Sequence, residues 1–244
     1  MPSVALTYQK VLLLVSRFLW YILGFNFTTR LIESCLSSSG HHHPHGSPLV
    51  LLDFCGAIVG LIFGAVTDAA LLGILRQPDQ AGRGLMWSSV HTYTWVLFRL
   101  IMLIGIIALA AMIPFLLLLR WLQWAPLISF AIAFLYLVLI KYALAYPLVV
   151  AEDLNARQAL KRSWEMTRGH FWYVLFCYLL IGAAHIAVNQ LFAGLWLDAS
   201  SPGSLPYFFK HSADGFFDSL WIVLGWQMYQ EIKDADQAPA PEVS

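Results

Sequence analysis

Apolar residues in this chain come in long unbroken runs, and polar residues gather between the runs and at the ends. Six runs read as membrane spans, at about 11–31, 49–75, 95–119, 124–150, 171–196 and 216–229. The stretch from Leu100 to Leu119 alone is twenty residues without a charge. A helix of that length crosses a hydrocarbon layer of about 30 Å. The first span is the weakest, with Arg17 and Arg30 inside or beside it, and the sixth is short. Pro48, Pro126 and Pro206 fall in loops or at span starts, where a missing amide is tolerated. Pro114 and Pro147 fall within or near the ends of apolar runs and can kink them.

Between the fourth and fifth runs the pattern changes. Wound as a helix over residues 156–168, the chain puts Ala156, Ala159, Leu160, Ser163, Trp164 and Thr167 on one side. Arg157, Gln158, Lys161, Arg162, Glu165 and Arg168 fall on the other. This is the pattern of an interfacial helix, apolar face down and cations towards the headgroups. Asn155 is placed to cap it, with Gln158 three residues on to return the hydrogen bond. Glu152 and Asp153 precede it, at the positive end of the helix dipole. Gly169 is a natural stop. Trp164, Phe171 and Trp172 suit a membrane interface. The segment reads either as an elbow fixing the angle between two spans or as a docking site. In the second case Arg157, Lys161, Arg162, Trp164 and Arg168 meet phospholipid headgroups or a partner protein.

Basic residues orient the chain. With six spans, one side carries Lys10, Arg76, Arg83, Arg157, Lys161, Arg162, Arg168 and Lys233. The other carries Arg30, Arg120 and Lys210. Both termini are therefore expected in the cytoplasm.

Composition supports a helical membrane protein. Of 244 residues, 59% are hydrophobic and 11% charged, against about 25% charged in soluble domains. The expected fold is all-α, a polytopic bundle of six transmembrane helices with one or two cytoplasmic interfacial helices. One membrane domain is expected over 1–232 and a disordered tail over 233–244. The run after Val11 contains Arg17 and is not followed by a small-x-small site, so no cleavable signal is expected. The three cysteines form no CxxC, and a Cys35–Cys55 disulfide on the outer side is conceivable. A faint repeat aligns Val96-Leu97-Phe98 with Val174-Leu175-Phe176.

Ionisable residues at membrane depth are costly and need partners. Asp68, Arg99 and Lys141 fall towards the cytoplasmic ends of their spans. Asp68 is expected to pair with Arg99 or Lys141, unless the two cations snorkel to the surface. Towards the outside, His185, Asn189, Asp214, Asp218 and Asp53 can converge on a polar pocket, either a structural network or a ligand site. His41, His42, His43 and His45 lie in a low-complexity loop that can capture zinc, copper or nickel weakly. Glycine and serine around them offer no rigid support for a working metal site.

No P-loop, GxSxG, HExxH or CxxC motif is present. The residues Tyr146-Pro147, Val149-Val150, Glu152, Ala159-Leu160, Arg162-Ser163-Trp164, Thr167-Arg168-Gly169 and Phe171-Trp172 resemble the membrane domain of glycerophosphoryl diester phosphodiesterases. They also resemble the stand-alone YciC-like inner-membrane proteins. The likeness is good over about thirty residues, and looser over the six-span layout. It implies a bacterial inner-membrane protein concerned with membrane integrity or the envelope. No second globular region to hold a phosphodiesterase barrel is expected from these residues, so that activity is not carried over. The expected function is non-enzymatic: a structural or accessory protein associating with phospholipids or other membrane proteins, with no cofactor and no nucleic acid. The alternative is a permease-like transporter using the intramembrane polar residues. It requires a water-accessible cavity reaching Asp68 or His185, which a tightly packed apolar core would exclude. A lipid-acting enzyme built on Asp53, His185 and Asp218 is a third reading.

Overall fold

The computed structural model describes residues 3–37, 47–80, 83–122, 125–195 and 205–237. Among them seven α-helices follow one another: α1 (Val4–Ser37), α2 (Ser47–Arg76), α3 (Arg83–Leu122), α4 (Ala125–Ile140), α5 (Ala145–Ala151), α6 (Ala156–Leu195) and α7 (Leu205–Gln237). Among the described residues there is no strand. Among the described residues, four helical stretches are long and apolar enough to cross a membrane: Ile58–Arg76, Gly84–Leu118, Ile128–Ala151 and Ala156–Leu191. They mark the chain as a membrane protein. Of the six expected spans, the first and last contribute none of these stretches among the described residues. α1 carries Lys10 and Arg17 in its described part, and α7 carries Asp214, Asp218 and Glu231.

Local sequence accounts for the breaks. α4 stops at Ile140, a turn covers 141–144, and α5 starts at Ala145. Pro147 then sits in the first turn of α5, where its missing amide leaves no helical hydrogen bond unmade. Pro114, by contrast, lies inside α3 without ending it. α6 is bent at His170, whose φ of −125° and ψ of 25° leave the helical region one residue after Gly169. α7 continues past the expected end of the membrane domain to Gln237. Buried Ile232 and the bond from Lys233 Nζ to the Tyr229 hydroxyl (3.2 Å) hold residues 233–237 in the helix. The rest of the expected tail, 238–244, lies outside the described residues.

The core runs through the bundle as Leu71, Leu72 and Ile74 of α2, Leu97 and Leu100 of α3, Leu144 and Leu148 around the break, Val174 of α6, and Leu224 and Met228 of α7. Outward faces are equally apolar. Ile106 and Leu109 of α3, Phe130 of α4, and Trp172 and Ile186 of α6 are exposed. Such a surface suits lipid, where apolar side chains carry no hydration penalty. Helices α2 and α3 approach closely where Gly73 faces Ser89, as small residues permit.

Candidate functional site

One end of the bundle is tied together by polar contacts. At the start of α6 the capping pair forms reciprocally: Gln158 N–H donates to Asn155 Oδ1 (3.0 Å) and Asn155 N–H to Gln158 Oε1 (3.2 Å). Just before it, Asp153 adopts a left-handed φ of 52°. Its carboxylate takes both terminal nitrogens of Arg76, each at 2.9 Å, and the Tyr93 hydroxyl as well. Arg76, then Tyr93, hold the Asp153 carboxyl below the ordinary aspartate range. Neighbouring Glu152 accepts from the Tyr229 hydroxyl (3.1 Å) and lies 4.0 Å from Arg162 Nε.

The elbow differs from the interfacial helix expected. Its small-residue face is not turned to lipid: Ala156, Ala159, Leu160, Ser163 and Thr167 are buried in the bundle. Ser163 Oγ donates to the Lys141 carbonyl at 3.0 Å. The physical reason is the turn at 141–144. Its carbonyl groups lack helical donors, and alanine and serine are small enough to bring the elbow onto them. Trp164, Arg157, Lys161, Arg162 and Arg168 are exposed. Arg162 also lies 3.8 Å from Glu165.

A second group, not anticipated from the sequence, centres on Glu231 of α7. Its Oε1 accepts from Lys10 Nζ (2.9 Å) and Gln227 Nε2 (3.3 Å). Its Oε2 accepts from the Thr7 hydroxyl (2.9 Å), with the Tyr173 hydroxyl 3.3 Å away. Burial alone would raise this carboxyl, but hydrogen bonds from Lys10, Thr7 and Gln227 outweigh it and hold the carboxyl low. Arg17, the charge inside the first apolar run, lies 3.2 Å from Asp79 and 3.3 Å from the Pro78 carbonyl.

A cavity of about 510 Å³ lies between α2, α3, α4, the 141–144 break, α5, α6 and α7. Asp68 and Asp218 both line it. Tyr136, Tyr142, Tyr146, Tyr178 and Trp221 supply aromatic walls, with Tyr178 and Trp221 stacked at 4.7 Å between centroids. Gly60 and Gly64 give the space, since a Cβ at either would meet nothing within 4 Å. The sequence signal for this wall is Gly60, Gly64 and Asp68, spaced four apart on one helix face.

Several expected partners are rearranged. Asp68 forms no ion pair with Arg99 or Lys141. Arg99 lies over the Trp95 ring (5.2 Å) and Lys141 over Trp164 (3.9 Å), so both cations find π faces at their own helices. Asp68 instead shares a cavity with Asp218, which the sequence had assigned to the opposite end. His185 Nε2 lies 3.0 Å from Asp214 Oδ1 and stacks on Phe217 (4.5 Å), while Asn189 Oδ1 is buried without a partner. His185 and Asn189 are absent from the cavity wall. The side chains of Asp53, Cys35 and Cys55 lie outside the described residues, as do His41, His42, His43 and His45. Among the described residues no group of three or more histidine, cysteine or carboxylate side chains could hold a metal ion.

No curated protein and no solved structure matches the chain, so the likeness of residues 146–175 to glycerophosphoryl diester phosphodiesterases has no named relative behind it. A family profile does match, over residues 2–224. The chain belongs to that family, described as a domain of unknown function (DUF7847).

Proposed function

We propose that this is a non-enzymatic, permease-like membrane protein that takes a small organic cation into the cavity between α2 and α7. The observation that carries the reading is the pair Asp68 and Asp218 on a cavity of about 510 Å³ walled by tyrosines and Trp221. Asp68 is a carboxylate at membrane depth whose expected cationic partners, Arg99 and Lys141, lie over Trp95 and Trp164 instead. Such a group is costly without a counter-charge, and a bound cation offsets that cost. The tyrosine and tryptophan faces add cation–π attraction. A core packed solid around Asp68 would have spoken against this reading.

Six crossings, cytoplasmic termini and a bacterial inner membrane belong to the same proposal. It is supported by the meeting of Thr7 near the start of α1 with Glu231 near the end of α7, which brings both ends of the chain to one face. Arg76 and Lys233 lie at that face too, as the positive-inside rule requires of a cytoplasmic side.

The test is binding of tetraphenylphosphonium to the purified protein in nanodiscs by equilibrium dialysis. Saturable binding is expected, with about a tenfold loss on Asp68→Asn, the worth of one ion pair in a partly desolvated site. Absence of saturable binding, or an unchanged affinity in Asp68→Asn, would overturn the proposal.

A second reading, an accessory subunit docked to lipid or another membrane protein, is favoured by α1. Leu12, Leu13 and Trp20 stand 66%, 63% and 83% exposed there. Co-purification of a stoichiometric partner in mild detergent, lost on Trp20→Ala, is its expected signature.

A further inference from the structure

A second concavity lies at the elbow, apart from the cavity just described. It has a volume of about 400 Å³ and is lined by Lys141, Trp164, Arg168 and Phe171. We infer that this notch binds the phosphodiester of an anionic phospholipid headgroup, and that the lipid's acyl chain lies along Trp172, Phe176 and Leu180.

Four observations carry the inference. Among the described residues, the notch is lined by two cations and no acidic residue. Neither Lys141 nor Arg168 forms an ion pair among the described residues, whereas the nearby carboxylates Glu152 and Glu165 lie beside Arg162. The cationic groups are therefore available to an outside anion. Secondly, Lys141 is positioned rather than loose. Its carbonyl holds Ser163 (3.0 Å), and its ammonium lies 3.9 Å from the centre of the Trp164 ring. Arg168 is one turn beyond Trp164 on α6. A guanidinium beside a fixed ammonium suits the several acceptor oxygens of a phosphodiester.

Thirdly, the surroundings select a lipid over a free anion. Immediately past the bend at His170, Trp172, Phe176 and Leu180 are 68%, 53% and 53% exposed. They recur every four residues and so form one apolar row. Charge and apolar row are adjacent, as headgroup and acyl chain are in a phospholipid. Finally, the tryptophans fit an interface. Trp164 is at the notch, and Trp172 packs on Phe176 with centroids 6.3 Å apart. This site does not depend on the cavity containing Asp68, and either can fail alone.

Native mass spectrometry of the delipidated protein in detergent tests it, with phosphatidylglycerol, phosphatidylcholine or inorganic phosphate added singly. One phosphatidylglycerol is expected to bind ahead of phosphatidylcholine. Lys141→Gln with Arg168→Gln should weaken that first lipid by about tenfold, on the scale of cation–anionic lipid attraction. Lys141→Arg with Arg168→Lys should retain it. Arg157→Gln with Lys161→Gln, on the same elbow but outside the notch, should leave it unchanged. Equal weakening by both glutamine pairs would mean diffuse attraction and overturn the inference, as would no weakening by either. Displacement of the lipid by millimolar inorganic phosphate would reassign the notch to a free anion and also overturn it.

Discussion

Arg76 at the end of α2 and Asp153 ahead of α6 meet through two parallel hydrogen bonds of 2.9 Å. The contact pins the entry to the elbow onto the end of α2, and it does so from a backbone with φ of 52° at Asp153. Aspartate tolerates that left-handed geometry better than alanine, and glycine better still. Asp153→Ala and Asp153→Gly lose the same ion pair. The alanine variant should therefore be less stable than the glycine one by about 1 kcal/mol. Reversible unfolding in mixed micelles measures the difference, and equal stabilities would refute the backbone argument.

The same pair gives a pH dependence with a definite sign. Arg76 and Tyr93 hold the Asp153 carboxyl below its ordinary value of 3.8, so the folded chain binds this proton less tightly than the unfolded one. The contribution is complete above that value and declines as pH falls through it. Glu231, also held low, acts in the same direction. Melting temperature should drop below about pH 4, and Asp153→Asn should remove part of the drop. The Asp153 share is small, under about 1 kcal/mol, because a side chain 58% exposed is screened by water. A profile identical in Asp153→Asn would exclude this assignment.

Glu231 gathers four donors onto one buried carboxylate, and these come from α1, α6 and α7 itself. Glu231→Ala takes the acceptor from buried Gln227, leaves Thr7 only the Ser3 carbonyl and the Tyr173 hydroxyl, and removes the partner of Lys10. A loss of about 2–3 kcal/mol is expected, towards the low end for broken buried pairs because Lys10 is 43% exposed. Glu231→Gln keeps an acceptor oxygen and should lose about half as much. Chemical denaturation of the two variants reads both values, and a glutamine variant as weak as alanine would show that charge, not acceptance, carries the contact.

What the sequence disclosed follows from how local each signal is. The Asn155–Gln158 cap depends on residues three apart, so its geometry is written in the chain, and Asn155→Ala should cost about 1 kcal/mol of stability. The break before Pro147 is local in the same way. The direction of the elbow's small face was not legible. Ala159 and Ser163 suit either lipid or a neighbouring turn, and only the fold brings the Lys141 carbonyl beneath them. Pairing of charges failed for the same reason. Asp68, Arg99 and Lys141 share a depth by sequence position, but rotation about each helix axis sends the cations to Trp95 and Trp164 and the carboxylate to the cavity. Glu231 was hidden because its donors lie up to 224 positions away.

Two glycines of α2, nine residues apart, should respond in opposite ways to a side chain. At Gly73 an added Cβ would lie 2.1 Å from Ser89 Oγ and 2.4 Å from its Cβ. The second of these atoms cannot rotate away, so α2 and α3 must separate. Gly73→Ala should cost about 1–3 kcal/mol, the usual range for overpacking. At Gly64 a Cβ meets nothing within 4 Å because it points into the space beside Asp68. Gly64→Leu should fill that space while gaining most of the roughly 1 kcal/mol by which leucine exceeds glycine in a helix. Stability is then expected to hold or rise, and binding of tetraphenylphosphonium to fall by at least about tenfold, as a ligand loses the room it occupies. Melting curves and equilibrium dialysis on the two variants decide the matter. If Gly64→Leu binds the probe as the parent does, the cation lies elsewhere than between Asp68 and Asp218.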